Sequence, residues 1–453
     1  MKNLVVLTCM FIAYLPSIFA QQGYSSASVG MTKAKEIIPQ PSEIIVEEYI
    51  NYHTHNIPLP SKNKAVNLDL SWTRGKPFTN DPVLQVGLTT ANLELHEIPP
   101  INVSLVIDRS GSMSGDRIKH TKQACKEFVQ RLRSQDVISI VLFSNGVEVL
   151  IPSQKVGNNN AQLLQKIQEI QVGGGTNLNS GLLKGYEQVT QNYQNQSANR
   201  VIMLTDALTN TGQIDPSTIV KNSTNYKEDY QIDIAVIGVG VNFNNALSRQ
   251  LTSSNKSSIH FINDAADIKK VFIDELESLM SPVAKDVKLE LVVGDGLAIQ
   301  QLYGYQADAS NNTFSLELDN INNGLTQVLL ATFKNDGYNK SRKVRAKLHF
   351  YNIQTKQQET IEKVIELPQT YYHNISKKDT EVLKNFTIAQ MAQTLKEASI
   401  KYHTDGKPQE AQKQIDQVLN TVTLTYNLNK EKDIKFIYDL LAKYRQQLLS
   451  YNK

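Results

Sequence analysis

Three separate segments of the sequence carry oxygen-bearing side chains that could bind one metal ion together. The run VSLVIDRSGS places Asp108, Ser110 and Ser112 directly after an apolar stretch. Thr176 follows three glycines in GGGTN, and Asp206 follows a second apolar stretch in VIMLTDA. Two carboxylates and three hydroxyls suit a hard cation such as Mg²⁺, Mn²⁺ or Ca²⁺ better than zinc. With so few anionic ligands the cation keeps water, and an incoming carboxylate could replace one water molecule.

The segments around these residues predict a parallel-sheet α/β region. Short apolar strands alternate there with amphipathic helices, and the continuous apolar character of the strands indicates a sheet covered on both faces. Strands are expected at 103–107, 137–143, 201–204, 232–239 and 259–262, and helices at 118–132 and 268–280. In open α/β sheets, ligands bind at the carboxyl ends of the strands, where Asp108 and Asp206 fall.

Together and in this order, the three segments resemble the metal-ion-dependent adhesion site of the von Willebrand factor type A (VWA) domain family. The resemblance covers roughly residues 100 to 280. It implies a doubly wound, mostly parallel α/β sheet. It also implies that the hydroxyls and the carboxylates named above are the cation's ligands, one or both aspartates acting through water. One departure is Ala207, because many members of the family have glycine after the second aspartate; this departure concerns the geometry of the loop and not the ligand.

The longer layout resembles exported bacterial VWA proteins through EEYINY at 47–52, PPINVSLVIDRSGSM within the domain and VAKDVKLEL just after it. In outline it is similar to the calcium-activated chloride channel regulators and the inter-alpha-trypsin inhibitor heavy chains, up to the C-terminal helices. The resemblance implies a protein partner that offers an Asp or Glu carboxylate to the cation, and a shift of helix 268–280 on ligand binding. Chloride channel regulators are associated with a zinc protease region, but the sequence has no HExxH motif, so we expect neither channel nor protease activity.

The remaining segments predict an antiparallel β domain beside the α/β region and a helical C-terminal region. Period-two alternation of apolar residues marks the strands, and longer periodic runs mark three C-terminal helices. The strands before and after the α/β region could form one interrupted β domain. The expected divisions are 1–20 signal peptide, 21–40 flexible leader, 41–98 N-terminal flanking β region, 99–281 VWA domain, 282–367 β-sandwich-like region and 368–453 helical region.

The first residues predict export. Lys2 precedes an apolar stretch at 4–15, and Ala20 precedes polar Gln21, as in a secretory signal peptide. The stretch is shorter than the ~20 residues that a spanning helix needs. We therefore expect a periplasmic, cell-surface or secreted protein with no transmembrane segment in its mature form. A lipid attached at Cys9 is the alternative.

Composition indicates an ordinary globular protein, with 40% hydrophobic and 20% charged residues and a formal net charge of +3. Such a charge balance gives no argument for nucleic-acid binding. Without residues 1–20 the only cysteine is Cys125, which excludes an intrachain disulfide. Its place on the apolar face of helix 118–132 predicts a buried side chain.

The sequence favours a binding protein over an enzyme. The glycines at 173–175 lack the Lys and Ser/Thr of a phosphate-binding loop, the sequence has no GxSxG motif, and His120 is expected on a helix away from Ser110 and Ser112. The predicted function is metal-dependent protein binding or adhesion. A structural part in an envelope or periplasmic complex and a metal-dependent hydrolase are the alternatives.

Two sets of these residues also have simpler interpretations. The turn from Asp108 to Ser112 could be a helix N-cap, although a cap requires neither Thr176 nor Asp206. His53 and His55, with His96, could suggest a transition-metal site. Without a third assigned ligand, we expect His53 and His55 to lie at the surface instead.

Overall fold

The computed structural model describes most of the chain from residue 38 onward. The described residues are 38–451 without 42–43, 52–54, 63, 76–77, 80, 91–98, 196, 207–208, 240–244, 253–257, 263–267, 270–271, 274–275, 277–281, 306–307, 311, 319–320, 336–340, 368–376 and 427–430. The predicted signal peptide, most of the predicted leader, Cys9, His53, His96 and Ala207 lie outside these residues.

Strands and helices alternate in the middle of the chain and are segregated at its ends. The strands are β1 (Val66–Arg74), β2 (Pro82–Thr90), β3 (Ile101–Asp108), β4 (Val137–Phe143), β5 (Val147–Lys155), β6 (Ala198–Thr205), β7 (Asp233–Val239), β8 (Ser258–Ile262), β9 (Pro282–Val293), β10 (Leu297–Leu302), β11 (Asp308–Ser310), β12 (Thr313–Leu318), β13 (Ile321–Asn322), β14 (Thr326–Asn335), β15 (Lys343–Asn352) and β16 (Gln357–Glu366). The helices are α1 (Val46–Asn51), α2 (Asp116–Arg131), α3 (Asn160–Gln168), α4 (Leu178–Gln191), α5 (Pro216–Tyr230), α6 (Asn245–Leu251), α7 (Lys377–His403), α8 (Pro408–Thr425) and α9 (Lys432–Tyr451).

The middle of the chain forms the predicted doubly wound α/β sheet, with strand order β5-β4-β3-β6-β7-β8. Strands β3, β4, β6, β7 and β8 run parallel to one another. Strand β5 lies at the edge of the sheet and pairs antiparallel with β4. Every residue of β3 and β4 is buried, because helices cover both faces of the sheet. Leu105 packs in the core on one face and Val106 in the core on the other.

Helix α2 lies on this sheet and follows the end of β3 closely. Gly115, at φ +73°, adopts a left-handed backbone conformation that lets the chain turn into the helix. Cys125 is fully buried on the helix's inner face, as the sequence predicted. Further along the chain, Ile268, Phe272 and Leu276 pack in the same core, and these described positions of the predicted last helix are helical.

The flanking strands form two antiparallel sheets, with orders β1-β2-β14-β10 and β11-β12-β9-β15-β16, the short β13 pairing with β9. Leu84 of the first sheet and Leu289 and Leu348 of the second share one apolar core. Since β2 pairs with β14, strands from before and after the α/β region lie in the same sheet. The α/β region is therefore an insertion in the sandwich, placed in the sequence between β2 and β9.

The C-terminal helices cover the outer face of the first sheet. Along β2, whose residues are all buried, Val83 packs with α7–α9 while Leu84 faces the sandwich core. At the contact between β2 and α7, the buried Gln85 accepts a hydrogen bond of 2.8 Å from the side chain of Asn385. Residues before the α/β region thus contribute to two cores, which is why their sequence predicts no core of its own.

His55 is buried, so its expected surface position is wrong. The residue has 3% relative exposure, and its Nδ1 lies 3.9 Å from Oε1 of Glu381 in α7. The sequence places these residues far apart, and the packing of α7 beside the N-terminal segment brings them together. Among the helices that the structure describes, none has the length and apolar character to cross a membrane.

Candidate metal centre

Asp108 ends β3 with a buried side chain whose two oxygens are both fixed by hydrogen bonds. Asp108 Oδ1 accepts a bond of 2.8 Å from the backbone amide of Ser110. Asp108 Oδ2 accepts a bond of 2.7 Å from the hydroxyl of Thr205, the last residue of β6. Because β3 and β6 are parallel neighbours, their carboxyl ends meet at one edge of the sheet. The carboxylate is therefore held in a single orientation at that edge.

Burial gives Asp108 an unusual pKa. Burial raises the pKa of Asp108 to about 6, although the hydrogen bonds from Ser110 and Thr205 lower it, and the charge of nearby Asp206 raises it further. Two carboxylates this close in a buried place repel one another unless a positive charge compensates them. A divalent cation would supply that charge.

The two predicted serine ligands lie side by side. The hydroxyl oxygens of Ser110 and Ser112 are 3.0 Å apart, Ser110 being buried and Ser112 exposed. Ser110 is the N-cap residue, and Ser112 the middle residue, of a short 3-10 turn, Gly111–Met113, that follows β3. Neither this turn nor α2 has a side-chain cap hydrogen bond at its N-terminus. The helix-cap interpretation of this segment is therefore wrong.

The loop that carries Thr176 is held against this turn by backbone hydrogen bonds. Gly173 N donates to the carbonyl of Arg109 at 2.6 Å, and Gly111 N donates to the carbonyl of Gly174 at 2.9 Å. Thr176 itself is buried at 2% exposure. These contacts bring the second predicted segment to the same edge of the sheet as the first.

Two asparagines fix the backbone of this loop from either side. Asn145 Oδ1 accepts a bond of 2.7 Å from Gly175 N, and Asn210 Oδ1 accepts one of 2.8 Å from Thr176 N. A Cβ atom at Gly174 would lie 2.5 Å from Asn145 Nδ2, and one at Gly175 would overlap Asn145 Oδ1. Glycine is therefore required here because the loop and the Asn145 side chain pack in direct contact.

Asp206 follows β6 and is almost fully buried, at 4% exposure. Its Oδ1 has no hydrogen-bond partner among the residues that the structure describes. Its Oδ2 lies 3.8 Å from Nη1 of Arg117, which donates a bond of 3.0 Å to the carbonyl of Ser112. A buried carboxylate oxygen without a partner is unfavourable, so this atom suits a metal ion or a metal-bound water.

The donor set is oxygen only. In the described part of the chain, no three His, Cys, Asp or Glu side chains cluster in a way that could hold a metal ion. A cation at this edge would therefore depend on hydroxyl oxygens beside the carboxylates of Asp108 and Asp206, as a hard cation does. The residues present fit such an ion.

Several residues that shape the site were not singled out from the sequence. Thr205 and Arg117 contact the predicted carboxylates, and Asn145 and Asn210 hold the Thr176 loop. Thr205 lies directly before Asp206 in the sequence motif, and this position could have indicated that its hydroxyl lies near the site. The sequence shows no comparable signal for the asparagines, because their role arises from loops that meet only in the folded sheet.

Comparisons with known proteins agree with this fold. Residues 102–273 match the von Willebrand factor type A domain. The uncharacterized protein YfbK of Escherichia coli (strain K12) is 26% identical over 276 residues, covering 59% of this chain and 48% of that protein. Inter-alpha-trypsin inhibitor heavy chain H3 of Rattus norvegicus is 28% identical over 202 residues, 43% of this chain and 22% of its own length. The chain thus spans less than half the length of these relatives.

A solved structure shows the same fold over most of the chain. The von Willebrand factor type A protein from Catenulispora acidiphila superposes with a TM-score of 0.57 at 14% identity, covering 83% of this chain and 91% of that chain. The chain contains a von Willebrand factor type A domain, and the predicted likeness to the inter-alpha-trypsin inhibitor heavy chains is confirmed. Domains of this family are typically non-enzymatic interaction modules, and they bind a divalent cation at the metal-ion-dependent adhesion site.

Proposed function

We propose that this chain is an exported protein-binding module whose VWA domain holds one divalent cation. The proposed ligands are Asp108, Ser110, Ser112, Thr176 and Asp206. The cation accepts an Asp or Glu carboxylate from a protein partner. The observation that carries this proposal is the buried Oδ1 of Asp206, which has no hydrogen-bond partner in the described part of the chain, near the second buried carboxylate, Asp108.

Mg²⁺ or Mn²⁺ is the proposed ion, with Ca²⁺ as the third choice. Both carboxylate oxygens of Asp108 already accept a hydrogen bond, which supports binding of the ion by Asp108 through a water molecule. Hydroxyl oxygens from Ser110 and Ser112 lie close enough to serve one ion together. These side chains supply fewer oxygens than the six or more that such an ion takes, which leaves a coordination position for an added ligand.

The surroundings of the site support a protein partner. Val172, in the loop before Thr176, is 39% exposed, and Ile214, in the loop after Asp206, is 58% exposed. Exposed aliphatic side chains on the loops that carry or follow the proposed ligands are suited to contact the apolar part of a macromolecular ligand. A binding role is preferred to hydrolysis because His120 Nδ1 lies 2.9 Å from the carbonyl of Asp116 in its own helix, where it is not placed to act as a base for Ser110.

Calorimetry of the purified protein with Mn²⁺ and with Mg²⁺ tests the proposal. We expect one bound ion in the wild type and none in Asp108→Ala, because the buried carboxylate positions the ion's ligands. Asp439→Ala, on the exposed face of α9, is the matched control and should bind like the wild type. If the wild type binds neither ion, or if Asp108→Ala still binds, the proposed function is wrong.

Adhesion and export have separate tests. Partner recovery from a pull-down should be lost when a chelator is added, whereas a purely structural assembly through the sandwich or the helices would survive.

For export, the N-terminus of the protein recovered outside the cytoplasm should be Gln21, following cleavage after Ala20. Recovery of the chain only inside the cytoplasm, with Met1 or Lys2 at its N-terminus, would contradict export.

A further inference from the structure

We propose that Arg117 is a second carboxylate-binding group at this site, and that it also weakens cation binding until an acidic ligand arrives. This inference rests on the proposed function and goes beyond it. It assigns to one side chain both the preference of the site for carboxylates over neutral ligands and the coupling between cation and ligand.

The position of the guanidinium is the first step. Arg117 lies in the first turn of α2, and its Nη1 donates a bond of 3.0 Å to the carbonyl of Ser112. The same nitrogen is 3.8 Å from Asp206 Oδ2. Ser112 follows β3 and Asp206 follows β6, so the guanidinium lies between the two loops that carry the proposed ligands. Its charged group contacts both of them.

The electrostatic effect on the cation is the second step. An arginine side chain stays protonated at all ordinary pH values, so its charge cannot be removed when the ion binds. At 3.8 Å from Asp206 Oδ2, the guanidinium stabilises that carboxylate in the ion-free protein. A divalent cation bound to the same carboxylate would be repelled by it. Arg117 is therefore expected to reduce the affinity of the site for the ion.

The effect on the ligand has the opposite sign. The side chain of Arg117 is 36% exposed, so it has room to reorient toward an incoming group. A carboxylate that gives one oxygen to the cation presents its second oxygen outward, and the planar guanidinium matches a carboxylate well. A neutral amide or hydroxyl could reach the cation but would gain no ion pair. Arg117 is therefore expected to favour acidic ligands.

The alternative is that Arg117 only holds the Ser112 turn in shape through its hydrogen bond to that carbonyl. This structural role predicts that the loss of Arg117 weakens cation and ligand binding together. The two interpretations thus differ in the sign of one measured change.

The test uses the full chain with Arg117→Gln and Arg117→Lys. Mn²⁺ affinity is measured by calorimetry, and acetate binding to the Mn²⁺-loaded protein is followed by the water-proton relaxation of the bound ion. We expect Arg117→Gln to bind Mn²⁺ about threefold to fivefold more tightly and acetate more weakly by a similar factor, the size of one partly exposed charge interaction. Arg117→Lys should keep the Mn²⁺ affinity of the wild type and still bind acetate less well, because it lacks the planar fork.

Arg131→Gln is the matched control, at the far end of the same helix. It should change neither affinity. Unchanged affinities in Arg117→Gln, or a decrease in both, would overturn the inference while leaving the proposed function intact. Failure of the wild type to bind Mn²⁺, or binding that survives Asp108→Ala, would instead remove the proposed function, and the inference with it.

Discussion

The hydroxyl of Thr205 donates a hydrogen bond of 2.7 Å to Oδ2 of Asp108, across 97 positions of sequence. The bond joins the last residues of two neighbouring parallel strands, β6 and β3. It orients one proposed ligand through a residue that is not itself a proposed ligand. Residues in such positions commonly affect metal affinity as strongly as a weak ligand does.

Thr205→Val is therefore expected to weaken Mn²⁺ binding by about tenfold, because the isosteric side chain leaves Asp108 Oδ2 without its donor. Calorimetry at neutral pH measures the change. Thr394→Val, at a buried position in α7, is the control and should leave Mn²⁺ affinity unchanged. Equal affinities in Thr205→Val and the wild type would show that the hydrogen bond does not position the ligand.

Gly175→Ala is expected to disturb the Thr176 loop. The added methyl group would overlap Asn145 Oδ1, the atom that accepts the hydrogen bond from Gly175 N. We expect a loss of about 1–3 kcal/mol in the free energy of unfolding of the α/β region. Mn²⁺ affinity should fall as well, because Thr176 is the next residue. Urea unfolding and calorimetry check the two effects.

Gly146→Ala is the matched control for this substitution. A Cβ atom at Gly146 has no heavy atom within 4 Å, although the residue lies in the loop that carries Asn145. Its stability and Mn²⁺ affinity should stay close to those of the wild type. Similar losses in the two variants would mean that the loop tolerates no added side chain, and not that the Asn145 contact is critical.

The stability of the protein is expected to fall in acid through Glu381. Burial raises the pKa of Glu381, but His55, Lys384 and the backbone amide of Asn56 outweigh this effect and lower the pKa to about 2. The unfolded chain has a glutamate pKa of about 4.3. A carboxyl whose pKa is lowered by folding stabilises the protein fully above the unfolded value, and that contribution is lost as pH falls toward 2.

Urea midpoints measured across this pH range test the expectation with Glu381→Gln. The variant should be less stable than the wild type at neutral pH, and the difference should shrink as the pH is lowered toward about 2. Glu169→Gln, at an exposed position after α3, is the control and should follow the wild type. A constant difference between Glu381→Gln and the wild type at all pH values would contradict the pKa assignment.

The α/β sheet could be predicted closely from the sequence because its strands are buried on both faces. An uninterrupted apolar run such as 137–143 has few alternatives, and β4 has these bounds in the structure. The doubly wound architecture follows from the alternation with helices and is confirmed. The edge strand β5 has mixed burial, and its alternating polar residues gave no comparable signal.

The positions of the candidate ligands could be predicted where they belong to local sequence motifs. Asp108, Ser110 and Ser112 fall at the end of β3, and Asp206 falls just after β6, where the sequence placed them. Their assignment as ligands remains a proposal. Arg117 was missed because a lone arginine at the start of a helix is ordinarily a solvated charge. Its proximity to Asp206 depends on the way two loops meet, which sequence spacing does not report.

The contact between Thr90 and Leu325 bears on the order in which parts of the chain fold. Leu325 N donates a hydrogen bond of 2.9 Å to Thr90 Oγ1 across 235 positions of sequence. During synthesis β1 and β2 emerge long before β14, and a hairpin alone is marginally stable. The inserted α/β sheet has its parallel strands nearer in sequence and can form first. Closure of the sandwich is then the late step, and until it occurs Leu84, Val86 and Leu88 of β2 lack the second sheet that covers them, a state in which exposed apolar surface favours misassembly.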